Sequence, residues 1–448
     1  MPGPATAASA VEVIRPGGAY RSLERVPLTD VTGRPVGELG LAPPLLVRQV
    51  LREMRASPDQ AYPERLAALA RAGELFADAA VDGETPQEYC ALQASVSGVP
   101  RRAAERALGV VARAAAALPE SVAAQVPAGT YAPWSRAPAG GAAVWTPRGR
   151  LLAVLAPGNH PLPHAEWLTA VALGYRVAVR PSYRDPFTPR RLVRALRNAG
   201  IGPGYAALLP TDHPTADVLR ASADLAWVYG DDRTVRRHLG DPRVKVLGPG
   251  RCTTLITRDT DWRDHLSLLV EAVAADGGTQ CLNTTTVLVE GAAAAREAAA
   301  ALDAALHTLP DLPPHDPKAR LPVRPVAEAE RLAKETGCTV ADLGDGSAVL
   351  RPHVRYVTDP PPTAAHCELP FPCAWVAAWD RAEGIAPLRH SLVVTLLTDD
   401  ARLAADCLRE PSVRSVHWGA HPTTEHLTGL PHDGHCAAFL MEAKTFLR

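Results

Sequence analysis

The sequence predicts an α/β fold of two doubly wound parallel sheets, extended by a small hairpin and tail. Three observations predict it: strand–helix alternation from Leu151 to Leu247, a second alternation after Asp261, and Gly, Pro or Asp at nearly every junction. Short continuous apolar runs between turn formers read as strands buried on both faces, and the segments between them repeat at helical spacing.

The elements follow in chain order. Residues 1–40 have weak periodicity and read as an irregular arm. From Pro43 to Leu118 apolar residues recur at helical spacing, as in "PPLLVRQVLREMRA" and "YPERLAALARAGELFADA", and predict a helical layer. Residues 127–150 are rich in turn formers and read as an extended excursion or hairpin. "LLAVLAP", "YRVAVRPS", "YAALLP", "LAWVYG" and "VKVLG" then read as strands, with helices between them. After Asp261 come a helix, a glycine-flanked cysteine segment, strand "TTVLVE", an alanine-rich helix over 292–308 and a Pro-rich connection over 309–324. A helix over 326–337, strand "SLVVTLLT" and helix "DARLAADCLR" complete the second unit, and "CAAFLMEAKTFLR" closes the chain.

Composition narrows the function. The 448 residues carry a formal net charge of −1, which argues against a partner bound through charge, such as a nucleic acid or an anionic membrane. No apolar run approaches the ~20 residues of a bilayer span. The first residues lack the pattern of a secretory leader, so the expected location is cytoplasmic. None of the eight cysteines forms a C-x-x-C pair, and the histidines His417, His421, His426, His432 and His435 read as loop residues, so no metal site is expected.

Chemistry concentrates in a few segments. In "DGGTQCLNTTTVLVEG" two glycines precede Cys281 and a buried strand follows. A core cysteine needs no such glycines, whereas a nucleophile needs substrate access and nearby backbone N–H donors. "LAVLAPGNHPL" sets Asn159 at a sheet's carboxyl edge, where its amide suits an oxyanion or, alternatively, turns the chain or caps the helix. "VAVRPSYRDPFTP" ends a strand on Arg180, Ser182 and Tyr183, a place for a ribose or phosphate. "VYGDD" puts Gly230 at a strand-to-helix junction, with Asp231 and Asp232 as phosphate neighbours or N-caps. No G-x-G-x-x-G and no Walker sequence follows any strand.

These segments, taken in order from about Trp145 to the end, resemble the aldehyde dehydrogenase superfamily. "APGNHPL" is similar to its Pro-Trp-Asn-Phe-Pro segment, "VAVRPSY" to its Val-Val-Leu-Lys-Pro-Ser-Glu strand and "VYGDD" to its Phe-Thr-Gly-Ser turn. "GGTQC" is similar to its Gly-Gln-x-Cys segment and "CELPFP" to Glu-Ile-Phe-Gly-Pro. The resemblance implies Cys281 as nucleophile, Asn159 as oxyanion holder and Arg180, Ser182, Tyr183, Gly230 and Glu368 as cofactor contacts, Glu368 holding the nicotinamide ribose. It also implies a nucleotide-binding domain over 1–252 (127–150 being an oligomerisation excursion), a catalytic domain over 253–424, an oligomerisation tail over 425–448, and a homodimer or homotetramer.

Two departures shape the expected activity. Where hydrolytic members carry Glu-Leu-Gly-Gly this chain reads "KVLGPGRC", with Val246 in the glutamate's place. "DPFT" and "HDG" resemble fatty-acyl thioester reductases. The expectation is therefore NAD(P)H-dependent reduction of an acyl thioester, on coenzyme A or a carrier protein, to an aldehyde. The alternatives are a hydrolytic NAD(P)-dependent aldehyde dehydrogenase and a non-catalytic scaffold. With Tyr183 in place of an acid and Arg180 beside it, NADP(H) is expected over NAD(H).

Overall fold

The computed structural model describes residues 9–132, 134–358, 368–427, 429–431 and 433–448. Its first large sheet has seven strands, ordered Val244–Leu247, Leu225–Tyr229, Leu151–Leu155, Arg176–Arg180, Ala206–Leu208, Val13–Arg15 and Gly18–Tyr20. The first five run parallel, Val13–Arg15 pairs antiparallel with Ala206–Leu208, and Gly18–Tyr20 pairs antiparallel with Val13–Arg15. Side chains alternate between its faces with the period of a strand. Leu152, Val154, Val177 and Val179 pack into one core with Phe76, Trp167 and Leu192, whereas Leu151, Ala153, Ala178 and Ala207 pack with Val47, Val50 and Leu51. Burial on both faces is why these strands read as unbroken apolar runs rather than as alternation.

The second large sheet is wholly parallel, ordered His353–Val357, Cys373–Trp379, Thr284–Glu290, Cys252–Ile256, Val393–Leu397 and Ser415–Trp418. Helices Leu266–Ala274 and Ala292–Leu306 cover one face and Ala401–Arg409 the other. A third, three-stranded sheet joins the excursion to the tail: Met441–Phe446 pairs antiparallel with Ala142–Pro147, which pairs with Thr130–Tyr131.

Several segments depart from the sequence reading. Of the arm expected to be irregular, residues 1–8 lie outside the described residues, and the rest is ordered into strands: Val13–Arg15 and Gly18–Tyr20 extend the first sheet, and Ser9–Val11, Pro35–Gly40 and Arg25–Thr29 form a sheet of their own. Their mixed composition hides them, because only scattered positions such as Val11, Val13, Leu28 and Leu39 are buried. Strands Val323–Pro325, Ser347–Leu350 and Val340–Asp342 form a further unexpected sheet within the second unit. The helical layer is tied down by charge as well as by apolar contact. Arg191, fully buried, donates to the carbonyls of Phe76 at 2.9 Å, Ala79 at 2.6 Å and Glu84 at 2.7 Å. A buried guanidinium is tolerated because its donors are satisfied. Among the described residues no single helix is long and apolar enough to cross a membrane.

Candidate active site

The site lies between the carboxyl edge of the first sheet and the amino edge of the second. From strand Leu151–Leu155 the chain runs to Arg176–Arg180 and Ala206–Leu208 on one side and then returns to Leu225–Tyr229 on the other, so the crevice at its carboxyl end is a topological switch point. Asn159 leaves this strand and Gly230 leaves its neighbour Leu225–Tyr229. From the other side, Gly250, Cys281 and Glu368 precede strands Cys252–Ile256, Thr284–Glu290 and Cys373–Trp379. Between them lies a cavity of about 940 Å³, large enough for a cofactor and a small substrate.

Cys281, Asn159, Gly230 and Glu368 all line this cavity. Asn159 Nδ2 donates to the Thr279 carbonyl at 2.8 Å and to Glu368 Oε1 at 2.8 Å. The Gly250 amide donates to Glu368 Oε2 at 3.2 Å. A methyl group on Gly250 would stand 2.5 Å from both Cα and O of Cys281, so only glycine lets this turn lie against the cysteine. Cys252 Sγ donates to the Cys281 carbonyl at 3.3 Å.

The loop before Cys281 is built around Asp276, which sequence reasoning passed over. Its φ of +50° is unusual for a residue other than glycine, and Gly277 and Gly278 follow at +82° and +65°. Asp276 Oδ2 meets His160 Nε2 at 3.0 Å, Gln280 Nε2 at 3.0 Å and Arg106 at 2.7 Å. Burial pushes its carboxyl up, but His160 and Arg106 outweigh burial and hold it below its ordinary value. Asn283 completes the clamp by accepting from the Gln280 amide at 2.7 Å. An aspartate beside Gly-Gly was the available signal, because its partners His160 and Arg106 lie far away in sequence.

Electrostatics oppose a free thiolate. Burial first, then Glu368, Cys252, Glu166 and Asp433, push the Cys281 thiol well above its ordinary value. A cysteine nucleophile attacks as its thiolate, so a base that takes the Cys281 proton favours the attack. Burial also pushes the Glu368 carboxyl up, against the pull of its bonds from Gly250 and Asn159. Across the cavity Tyr229 donates to Glu166 Oε2 at 3.1 Å, Lys245 donates to the Asp433 carbonyl at 2.8 Å, and Cys436 stands among them, its thiol pushed up to about 12 by burial. The sequence reading does not single out Tyr229, Glu166, Lys245 or Asp433, and it weighs Cys436 only beside the tail histidines as a metal ligand.

Three residues are not brought to the cavity wall. Arg180 donates to the Thr211 carbonyl at 3.3 Å, Tyr183 donates to the same oxygen at 3.4 Å, and the guanidinium stands 5.5 Å from the Tyr183 ring centre. Ser182 accepts from the Arg184 amide at 3.2 Å. Val246, aligned by resemblance with the glutamate of hydrolytic members, does not line the cavity. Lys245, Leu247, Gly248 and Pro249 line the cavity, and alternation turns Val246 to the other side of its strand. Asp231 is the N-cap of helix Asp232–His238, accepting from the Thr234 amide at 2.9 Å. In the tail, His417 Nδ1 lies 3.1 Å from the Pro422 carbonyl and His421 pairs with Glu425 at 2.8 Å, whereas His432 lies outside the described residues.

Comparison with known proteins adds the family. The 2-hydroxymuconic semialdehyde dehydrogenase of Pseudomonas sp. (strain CF600) is 26% identical over 56% of this chain and 57% of its own. The N-succinylglutamate 5-semialdehyde dehydrogenase of Sphingopyxis alaskensis is 27% identical over 47% of this chain and 45% of its own. The chain thus spans about half the length of the curated relatives it matches. The fold is shared more widely. A γ-glutamyl-γ-aminobutyraldehyde dehydrogenase from Burkholderia cenocepacia superposes with a TM-score of 0.81 at 18% identity, covering 97% of this chain and 96% of that one. The aldehyde dehydrogenase KauB from Pseudomonas aeruginosa gives 0.82 at 16%, covering 98% and 97%. The family model itself matches residues 47–343, from the helical layer through Asn159 and Cys281 into the second unit, and the chain belongs to the aldehyde dehydrogenase family.

Proposed function

We propose that this chain oxidises an aldehyde to a carboxylic acid with NAD(P), by way of a thioester on Cys281. The observation that carries the reading is one cavity holding a thiol, an amide donor and carboxylates, with Gly250 packed against the cysteine. Cys281, relieved of its proton, attacks the aldehyde carbon, and the Asn159 amide stabilises the oxyanion that forms. A nicotinamide cofactor, when bound in the cavity, would supply the hydride acceptor. The walls suit such a group, since the Gly230 turn, Arg233 and Cys281 all line the cavity.

The curated relatives named above act on semialdehydes, which supports an aldehyde that itself carries a carboxylate. Arg113, on helix Arg101–Ala116 at the cavity wall, offers the cation for it. NADP(H) is accepted in preference to NAD(H), because Tyr183 brings no charge against a 2′-phosphate and Arg180 can reach one on giving up the Thr211 carbonyl. The excursion–tail sheet serves a homodimer or homotetramer, and the protein works in the cytoplasm.

Acyl-thioester reduction, from coenzyme A or a carrier protein, is the second reading. It keeps one specific support: no carboxylate lies in residues 244–250, where hydrolytic relatives are expected to hold their base. One experiment separates the two. Aldehyde and oxidised cofactor are supplied with and without coenzyme A and the product is identified. Repeated turnover to free acid without thiol supports oxidation, and strict dependence on thiol supports the second reading.

A further inference from the structure

The cavity poses a problem that the family assignment leaves open. Hydrolysis of a cysteine thioester needs a base beside the attacking water, worth about 10²–10⁴-fold. Segment 244–250, where that base is expected, supplies none. Yet a carboxylate is bonded to that very segment. Glu368 Oε2 accepts from the Gly250 amide at 3.2 Å, and Oε1 accepts from Asn159 Nδ2 at 2.8 Å. Gly250 in turn lies against the backbone of Cys281.

We propose that Glu368 is the base that replaces the missing glutamate, reaching the same place from the strand entrance at Cys373. The proposal rests on aldehyde oxidation through Cys281. Its geometry has a consequence. Both amide hydrogens of Asn159 are already engaged, one by Thr279 and one by Glu368. Asn159 holds an oxyanion only when Glu368 gives up its hydrogen bond. Once released, Oε1 is left to take a proton while Gly250 still holds Oε2. Forming the oxyanion hole and freeing the base are thus one event.

The step balances. Water attacks the thioester carbon and a C–O bond forms as Glu368 takes the water's proton. The oxyanion rests on Asn159. Collapse breaks the C–S bond, releasing the acid and the Cys281 thiolate, which recovers the proton from Glu368. Burial suits it for this step, since it raises the Glu368 carboxyl above its ordinary value.

Intact-protein mass spectrometry and rapid-mixing absorbance on the full chain, with aldehyde and oxidised cofactor, test this. In Glu368→Gln we expect a first-turnover burst of reduced cofactor, a Cys281 acyl adduct that accumulates, and deacylation slowed about 10²–10³-fold. Added mercaptoethanol should discharge the adduct, and Glu368→Asp should restore part of the hydrolysis. Thermal melting shows whether each variant is folded, and Glu368→Asp carries the test if the Gln variant is not. Deacylation at the wild-type rate, loss of the burst without an adduct, or accumulation in Glu166→Gln instead would each overturn the proposal. No adduct and no reduced cofactor in any protein, wild type included, would overturn the underlying oxidation as well.

Discussion

Two clusters sit at neighbouring strand ends of the first sheet and behave in opposite ways. Arg180, Ser182 and Tyr183 end the strand Arg176–Arg180 and close on local backbone, with Arg180 and Tyr183 sharing the Thr211 carbonyl. Asn159 ends the adjacent strand, yet its partners, Thr279 and Glu368, come from the other sheet. The first cluster stabilises its own turn. The second spans two units and is broken by any chemistry that draws on it. A strand end becomes a reactive site when its polar groups are satisfied by something that can leave.

The contrast can be broken or sharpened by experiment. The largest effect is expected for Cys281→Ala, which should lose aldehyde oxidation by at least ~10⁴-fold while its melting temperature and cofactor titration stay close to wild type. Measurable multiple turnover in that variant would remove the cysteine from the mechanism. Asn159→Ala should lower kcat by about 10²–10³-fold, the usual worth of one oxyanion donor, with little change in KM. A loss confined to KM would place the asparagine on the passive side of the comparison.

The pH profile of kcat comes next. The Glu368 carboxyl is raised above the ordinary carboxylate range, and its charged form is the working base. Activity should therefore fall on acidification at a pH above ~4.3, and this limb should vanish in Glu368→Gln. An acid limb unchanged by that substitution would assign it elsewhere. Smaller still, Arg180→Ala should raise KM for NADPH by about tenfold more than KM for NADH, the worth of one hydrogen bond to a charged group. Equal changes for both cofactors would leave Arg180 as a prop for the Thr211 turn. The smallest effect is structural: Asp231→Ala should cost about 1 kcal/mol in denaturant unfolding, because it leaves the Thr234 amide without its cap.

Much of this protein was legible in the sequence because the relevant signals are local. Strands Leu151–Leu155, Arg176–Arg180, Leu225–Tyr229 and Thr284–Glu290 are buried on both faces and announce themselves as apolar runs. Gly-Gly before Cys281 and the turn holding Asn159 marked the reactive residues, since glycine and asparagine are needed where chains approach closely or turn sharply. Tertiary structure decided the rest. The N-terminal strands are two-sided only after they dock on other elements. Asp276 matters through His160 and Arg106, which are more than a hundred residues away. Strand alternation turned Val246 away from the cavity and Leu247 toward it. Above all, Glu368 lies beyond the segment where a base was sought and reaches it only because the second sheet's amino edge faces the first sheet's carboxyl edge. Sequence carries the residues that bend or bury a chain, because those constraints act within a few residues. Which carboxylate stands beside which thiol is set by how two sheets meet, and that depends on packing across the whole molecule.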